Sequence, residues 1–556
     1  MKTDEIREKY LDFYVSKGHA RRASDVLVPH GDPSVLFTPA GMNQFKDHFL
    51  GKVKLDFTRA TTCQKCLRTG DIDNVGRTAF HHTFFEMLGN FSFGDYFKRE
   101  AIAWAWEFLT DKKWMGIDPQ RLTVSVFHDD DEAAEIWKQD IGLPESRIAR
   151  LGEDDNFWPA GAPTQGPDGV CGPCSEIFYK DDKGVEVEIW NLVFTQFNRV
   201  GEPPDNLRPL PSKNIDTGMG LERIACVMQG HSTNFHIDSL RPIVDAAAEV
   251  VGRSYDAASE DGRRLRRIAD HVRAATFAIH ENVVPDSKKQ GYVIRRLLRR
   301  AVLDGHQMGM RAPFLHQLVD IVVAQMKQPY PELLQTATRV AEDIQVEERA
   351  FLNTLDAGMA RIESIFSEMD SSRRQVVSGD EAADLYTTYG VPPELFQQLA
   401  ADRSLTFDWE GYRKAMAVHG TTSGGGTIQL FKSGALEAIK AAVKRTEFVG
   451  YETETCAATI KGMVVYEQQG EAKVEKSAEK ITDSSQEVGI VLDRSPFYGE
   501  SGGQVGDTGV IETATGRFIV TDTKKDAELL VHFGHLEQGT LEAGQTAQAQ
   551  VDTQRR

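Results

Sequence analysis

The chain has 556 residues, of which 40% are hydrophobic and 26% charged, an ordinary globular composition long enough for about three or four domains. No run approaches the ~18 consecutive apolar residues of a membrane helix, and the charged start Met1–Arg7 lacks the apolar core of a signal peptide. Six scattered cysteines build no disulfide framework, so a membrane-spanning protein and a disulfide-stapled secreted domain are set aside and a cytoplasmic location is expected.

In chain order, Ile6, Tyr10, Phe13 and Tyr14 fall on one helical face, and Gly18 is placed to stop that helix. Short apolar runs broken by Gly, Pro and Asn follow from Val35 to Phe93. A helix through Ile102, Trp106 and Leu109 comes next, then a strand over Leu122–Phe127 and a long strand over Glu186–Phe197. Hairpin-like strand spacing mixed with helices predicts an antiparallel sheet rather than βαβ units. Helical patterns dominate from about 240 to 415, with one long helix over Glu332–Met369. Gly424-Gly425-Gly426 reads as a linker, and the short alternating strands from about 445 predict a β-barrel or sandwich.

Net charge is −19, which repels nucleic acid at long range. Against that, Arg263–Arg300 holds eleven Lys and Arg and three acidic residues, a local charge of +8. Such an island is a candidate phosphate-contacting face or, equally, the solvated Arg faces of two amphipathic helices.

Chemistry concentrates in a few segments. Arg59–Arg68 and His81–Gly94 frame a loop, and Asp216-Thr217-Gly218-Met219-Gly220-Leu221-Glu222-Arg223 precedes a helix. Asn191 shares strand parity with Val187, Ile189 and Val193, so its side chain should meet an apolar face. Left unpartnered there it costs roughly 1–3 kcal/mol; a ligand's ammonium or carboxylate would satisfy it, and so would a backbone group. Asp216 could be the N-cap of the helix near Leu221. Gly218 and Gly220 leave room for close backbone approach. Cys63-x-x-Cys66 and Cys171-x-x-Cys174 have the pair spacing of a zinc site, but the gap between pairs is far too long for a zinc ribbon. No metal is assigned to them. His532-Phe533-Gly534-His535 resembles the class I synthetase tetrapeptide, but it lies in the β-rich end and is read as coincidence.

These segments resemble motifs 2 and 3 of the class II aminoacyl-tRNA synthetases, in the wording of the alanyl family. Ser34–Lys46 resembles the same family's motif 1 region. The likeness runs on through Asp155–Trp158, Cys171–Ile177, Trp190–Phe194 and Arg295–Arg300, so it covers the chain. It implies an α+β multidomain fold: a class II antiparallel sheet flanked by helices (1–240, catalytic), an all-helical tRNA-recognition domain (241–440), and a β-barrel opening an editing domain (441–556). The activity implied is alanine–tRNA ligation: L-alanine and ATP give alanyl-adenylate and pyrophosphate, and alanine passes to the 3′ end of tRNA(Ala). By the same resemblance Arg68 contacts the α-phosphate and the substrate carboxylate, and Arg223 the γ-phosphate. Phe84 or Phe85 stacks on adenine, adjacent strand residues pointing to opposite sides. Asp216 binds the α-amino group of alanine, Asn191 and Gly218 complete the alanine-binding set, and Trp158 limits side-chain size. Mg²⁺ is expected with ATP.

In the family, tRNA is read partly by an Asn after the Pro285 segment and by an Asp within Tyr-Gly-x-Pro-x-Asp. The corresponding positions here are Ser287 and Glu394, with Arg295, Arg296, Arg299 and Arg300 nearby as candidate RNA contacts. Ser495–Asp507 resembles the start of the editing barrel. The family's metal-binding His-x-x-x-His follows that barrel, so zinc is expected only beyond Arg556, and a fragment unable to hydrolyse Ser-tRNA is anticipated. Two other functions compete. A free-standing editing hydrolase shares the barrel but not Arg68, Asp216 or Arg223. A non-catalytic RNA-binding scaffold would be expected to have lost one of those three, and all are present.

Overall fold

A computed structural model describes residues 1–29, 35–54, 56–422, 439, 443, 446–450, 453–469, 472–484, 486–498, 507–526 and 529–552. The linker expected at 424–426 and most of 499–507 lie outside the described residues. Two compact units divide at 416/417.

In the first unit the strands are β1 (Arg59–Leu67), β2 (Phe84–Phe93), β3 (Leu122–Phe127), β4 (Phe157–Trp158), β5 (Gly169–Lys180), β6 (Glu186–Arg199) and β7 (Leu207–Gly220). They lie in the order β1-β2-β7-β6-β5-β3, with β4 on β5, and all these pairs are antiparallel. In this sheet, among the described residues, only the short edge strands Ala20–Arg21 and Ile148–Leu151 pair in parallel. The antiparallel sheet expected from hairpin spacing is therefore the one observed.

Strand alternation separates two faces. Trp190, Leu192 and Phe194 on β6, with Ile215 and Met219 on β7, are fully buried under helices α1 (Thr3–Ser16) and α2 (Lys98–Thr110). Tyr10 of α1 and Phe108 of α2 pack on Trp190 at 5.6 and 5.9 Å between ring centres, so the helical faces read from Ile6 to Tyr14 and from Ile102 to Leu109 are the lid of this core. The opposite face of the same strands carries the site.

Helix α3 (Leu221–Met228) begins where β7 ends. Beyond it, α4 (Glu260–His280), α5 (Lys289–Gln307), α6 (Leu333–Ser372) and α7 (Pro393–Asp402) form the helical segment. Glu348 of α6 is fully buried, and its carboxylate accepts from the backbone N–H groups of Phe314, Leu315 and His316 at 2.8, 2.8 and 3.1 Å. That carboxylate takes up the orphan donors of a short helix.

The second unit holds β8 (Thr455–Gln469), β9 (Glu487–Leu492), β10 (Gly509–Thr513), β11 (Gly516–Asp526), β12 (Leu529–Gly539) and β13 (Thr546–Val551). They close in the order β8-β9-β12-β11-β10-β13-β8, a six-stranded barrel among the described residues. Ile460, Ile490, Leu492, Ile511, Phe518 and Ala549 fill its interior. Closure leaves these strands no open edge.

Candidate active site

The free face of the sheet floors a cavity of about 270 Å³. Ile189, Asn191 and Val193 of β6 line it beside Asp216, Gly218 and Gly220 of β7, in the alternation strands impose. Glu176, Asn191 and Gly218 stand in one row across β5, β6 and β7. A register shift between Ile177 and Phe178 of β5 lets Glu188 line the cavity beside Ile189. The parity read from sequence therefore holds from Ile189 to Val193 and breaks before Val187.

Asp216 is 6% exposed, and its carboxylate has no hydrogen bond or ion pair among the described residues; burial pushes it up to about 7. It does not cap the following helix. It lies within β7, and the N-cap of α3 is Gly220, with no side-chain cap. Asn191 donates from Nδ2 to Glu176 at 3.2 Å, while its buried Oδ1 finds no partner among the described residues. The polar cost foreseen for Asn191 is thus half met by a carboxylate and half left for a ligand. A side chain at Gly218 would press on the Met87 sulfur at 2.9 Å.

Cations stand opposite. Arg68 lines the cavity at the head of the loop after β1; its Nε donates to the Pro39 carbonyl at 3.0 Å and its guanidinium lies 5.0 Å from the Phe85 ring centre. Arg223 of α3 pairs with Glu188 at 2.7 Å. Of the two phenylalanines, Phe85 lines the cavity. Phe84 points away, stacked on Phe277 with ring centres 4.2 Å apart and capped by Arg273.

Trp158 depends on a local irregularity. Where the β5–β6 register shifts between Cys171 and Cys174, Gly172 and Pro173 pair with Trp158 and Phe157 of β4, which sets the indole at the cavity. The second Cys-x-x-Cys thus flanks a register shift in the sheet. The first pair sits on β1, with three strands between it and β5, about 19 Å across the sheet. Burial pushes the Cys171 thiol up to about 11 and Cys174 well above its ordinary value, opposing thiolate ligation. His532 is buried in β12. One ring nitrogen meets the Ile490 carbonyl at 2.9 Å, the other the Ser495 hydroxyl at 2.7 Å.

Sequence reasoning missed the acidic group Glu176, Glu188 and Asp155. Burial, then the Glu188 and Asp155 charges, push Glu176 up to about 8. Hard oxygen donors that repel one another suit a divalent cation. Among the described residues no three metal-ligating side chains stand together so as to hold a metal ion by themselves. Polar residues spread over three segments of a sequence gave no spacing signal for this group.

The basic segment is mostly neutralised by acids from elsewhere in the chain. Arg267 pairs with Asp304 and Arg273 with Glu222, while Arg300 and Arg296 pair with Asp73 and Arg299 with Glu347. Arg300 is buried, and burial with the nearby Arg267 pushes it down to about 10. Arg295 lies 5.8 Å from the Tyr292 ring centre. Exposed Ser287 donates to Asp286 at 3.3 Å, and Glu394 accepts from the Tyr292 hydroxyl at 3.0 Å. Lys288 and Lys289 are exposed and, like Arg295, make no ion pair among the described residues.

The antiparallel sheet with its flanking helices is the fold of a class II tRNA synthetase. A family model described as "tRNA synthetases class II (A)" matches residues 5–555, and the chain belongs to that family. It is 63% identical over 557 residues to an "Alanine--tRNA ligase" of Rhodopirellula baltica, covering 100% of this chain and 59% of that protein. Proteins of the same name from Thermus thermophilus and Psychrobacter sp. are 44% and 42% identical, over 100% and 99% of this chain and 64% and 61% of theirs. The chain thus spans about three-fifths of the length of the curated relatives it matches. No helix among the described residues is long and apolar enough to cross a membrane.

Proposed function

We propose that the chain carries alanine–tRNA ligase activity: ATP-dependent activation of L-alanine followed by transfer to the 3′ end of tRNA(Ala). The observation that supports it most is the unpartnered, buried Asp216 carboxylate sharing one cavity with Arg68 and Arg223. A buried carboxylate without a cation calls for one, and the α-ammonium of an amino acid supplies it, with Asn191 Oδ1 as second acceptor. Trp158, Val193 and Met87 crowd the remaining space, which suits a methyl side chain. A small pocket rejects glycine and serine poorly, because one methylene or hydroxyl changes binding by only about 1–3 kcal/mol.

In activation, an alanine carboxylate oxygen attacks the α-phosphorus of ATP, the α–β phosphoanhydride bond breaks, and pyrophosphate leaves. The transition state is highly anionic, so fixed positive charge matters more than an acid or base. Arg68 serves the α-phosphate and carboxylate and Arg223 the far phosphates; a guanidinium stays protonated and binds oxyanions in pairs. Phe85 offers the face for adenine. Mg²⁺ accompanying ATP would be held chiefly by phosphate oxygens and water and would neutralise phosphate charge, with the Glu176, Glu188 and Asp155 group offering single carboxylate contacts. We assign catalysis to residues 1–240, tRNA recognition to 241–440 and the opening of an editing domain to 441–556. Lys288, Lys289 and Arg295, with Ser287, are the RNA-contacting candidates.

The test is amino-acid-dependent ATP–pyrophosphate exchange with alanine, serine and glycine. Alanine should support exchange best, and Asp216→Ala should abolish it. A folded protein without alanine-dependent exchange would point instead to a catalytically silent RNA-binding scaffold.

A further inference from the structure

Beyond Phe85, the cavity ends in polar atoms that have no partner. His82 and Asn234 both line it and are 4% and 0% exposed. Neither His82 Nε2 nor Asn234 Oδ1 meets a hydrogen-bond partner among the described residues. A buried polar atom left so costs about 1–3 kcal/mol, which a ligand's donor would relieve.

Neighbours fix both atoms as acceptors. Asp270, fully buried on α4, accepts through Oδ1 from the Thr83 N–H at 2.9 Å and from His82 Nδ1 at 3.2 Å, and through Oδ2 from His271 Nδ1 at 3.0 Å. Burial alone would raise the Asp270 carboxyl, but the hydrogen bonds from His271 and His82 hold it well below the usual carboxylate range. An ionised carboxylate only accepts, so it holds a proton on His82 Nδ1, and in the neutral ring Nε2 is then the acceptor. Asn234 is tied to the loop before β2, its N–H donating to the Ala79 carbonyl at 3.0 Å and Nδ2 to that of Phe80 at 3.4 Å. Its Oδ1 is left over.

Register places these acceptors far from the amino-acid end. Asp216 stands opposite Phe91 of β2; Phe85 is six residues back along that strand, about 20 Å away at 3.3 Å per residue, and His82 precedes it. A triphosphate offers no donors. The groups that could face His82 and Asn234 are the hydroxyls of a ribose or the exocyclic amine of an adenine.

We propose that His82 and Asn234 form an acceptor subsite for an N–H or O–H donor of the nucleoside, and that Asp270 is the positioning residue that keeps His82 in its accepting tautomer. This rests on the ATP-binding reading of the cavity. The intact chain is assayed by alanine-dependent pyrophosphate exchange with ATP, 2′-deoxy-ATP, 3′-deoxy-ATP and the 6-deaminated purine riboside triphosphate. Asn234→Leu removes one acceptor. Asp270→Leu removes the oxygen that accepts from both the Thr83 N–H and His82 Nδ1, so nothing holds the His82 proton on Nδ1.

With the unaltered protein, one analogue should lower kcat/KM about tenfold through the nucleotide KM. In both variants ATP should fall to that level, the same analogue should lose nothing further, and the alanine KM should stay within about twofold. Equal rates with all four nucleotides, or an analogue loss that persists at full size in the variants, would overturn the proposal. Should either variant fail to fold, the other variant and the analogue series on the unaltered protein still decide. Failure of exchange with ATP itself would remove the nucleotide reading and the subsite together, a distinct result.

Discussion

At the residue scale, Asp216 is poised by its surroundings. Burial holds its carboxyl up at about 7, so near neutral pH the empty site is divided between protonated and ionised forms. An ammonium binds only the ionised form. Alanine affinity should therefore weaken by up to tenfold for each pH unit below about 7, measured as the alanine KM between pH 5.5 and 8. The sign for stability is opposite. A carboxyl raised in the folded state stabilises the fold fully below its unfolded value and loses that contribution as pH rises through about 7. Asp216→Asn should thus raise the thermal midpoint by a few degrees at pH 8, while raising the alanine KM. Gly172 makes a steric case: a Cβ there would sit inside the contact distance of the Phe194 carbonyl oxygen. Gly172→Ala should cost about 1–3 kcal/mol and, by displacing Trp158, weaken alanine discrimination in the exchange assay.

At the element scale, α4 ties the helical segment to the sheet through buried charge. Arg273 donates to Glu222 at 2.8 Å and to the Phe84 carbonyl, and Glu222 accepts from the Glu86 N–H at 3.1 Å. Removing one partner of such a pair strands the other in low dielectric. Arg273→Met should cost about 3–5 kcal/mol, read as a lowered midpoint in urea. The arginines of α4 and α5 read from sequence as a candidate RNA-contacting face because their acidic partners lie outside 263–300. Folding brings in Asp304 and Glu222 for α4 and Asp73 and Glu347 for α5.

At the scale of the whole molecule, a net charge of −19 leaves little cationic surface for RNA. The exposed Lys288 and Lys289 and the partly buried Arg295, free of ion pairs among the described residues, mark where phosphates would meet the chain. Lys288→Ala with Lys289→Ala should weaken tRNA binding and reduce its salt slope by about two, with the thermal midpoint unchanged. Arg300→Ala should act chiefly on stability, since the Arg300 side chain is buried and already paired with the exposed Asp73.

Periodicity and spacing, which are local properties of a chain, carried the antiparallel sheet, the helical middle and the β-rich end, while the class of protein and the candidate residues Arg68, Asp216 and Arg223 came from the resemblance of whole motifs. Tertiary structure alone decided which phenylalanine faces the cavity, that Asp216 serves β7 rather than a helix cap, and that Gly172 and Pro173 pair with the strand carrying Trp158. It also decided which arginines are already paired, and it joined Glu176 to Glu188 and Asp270 to His82 across the fold. Those outcomes depend on strand register and on partners tens or hundreds of residues away, and burial and charge are set by such partners rather than by neighbours in sequence.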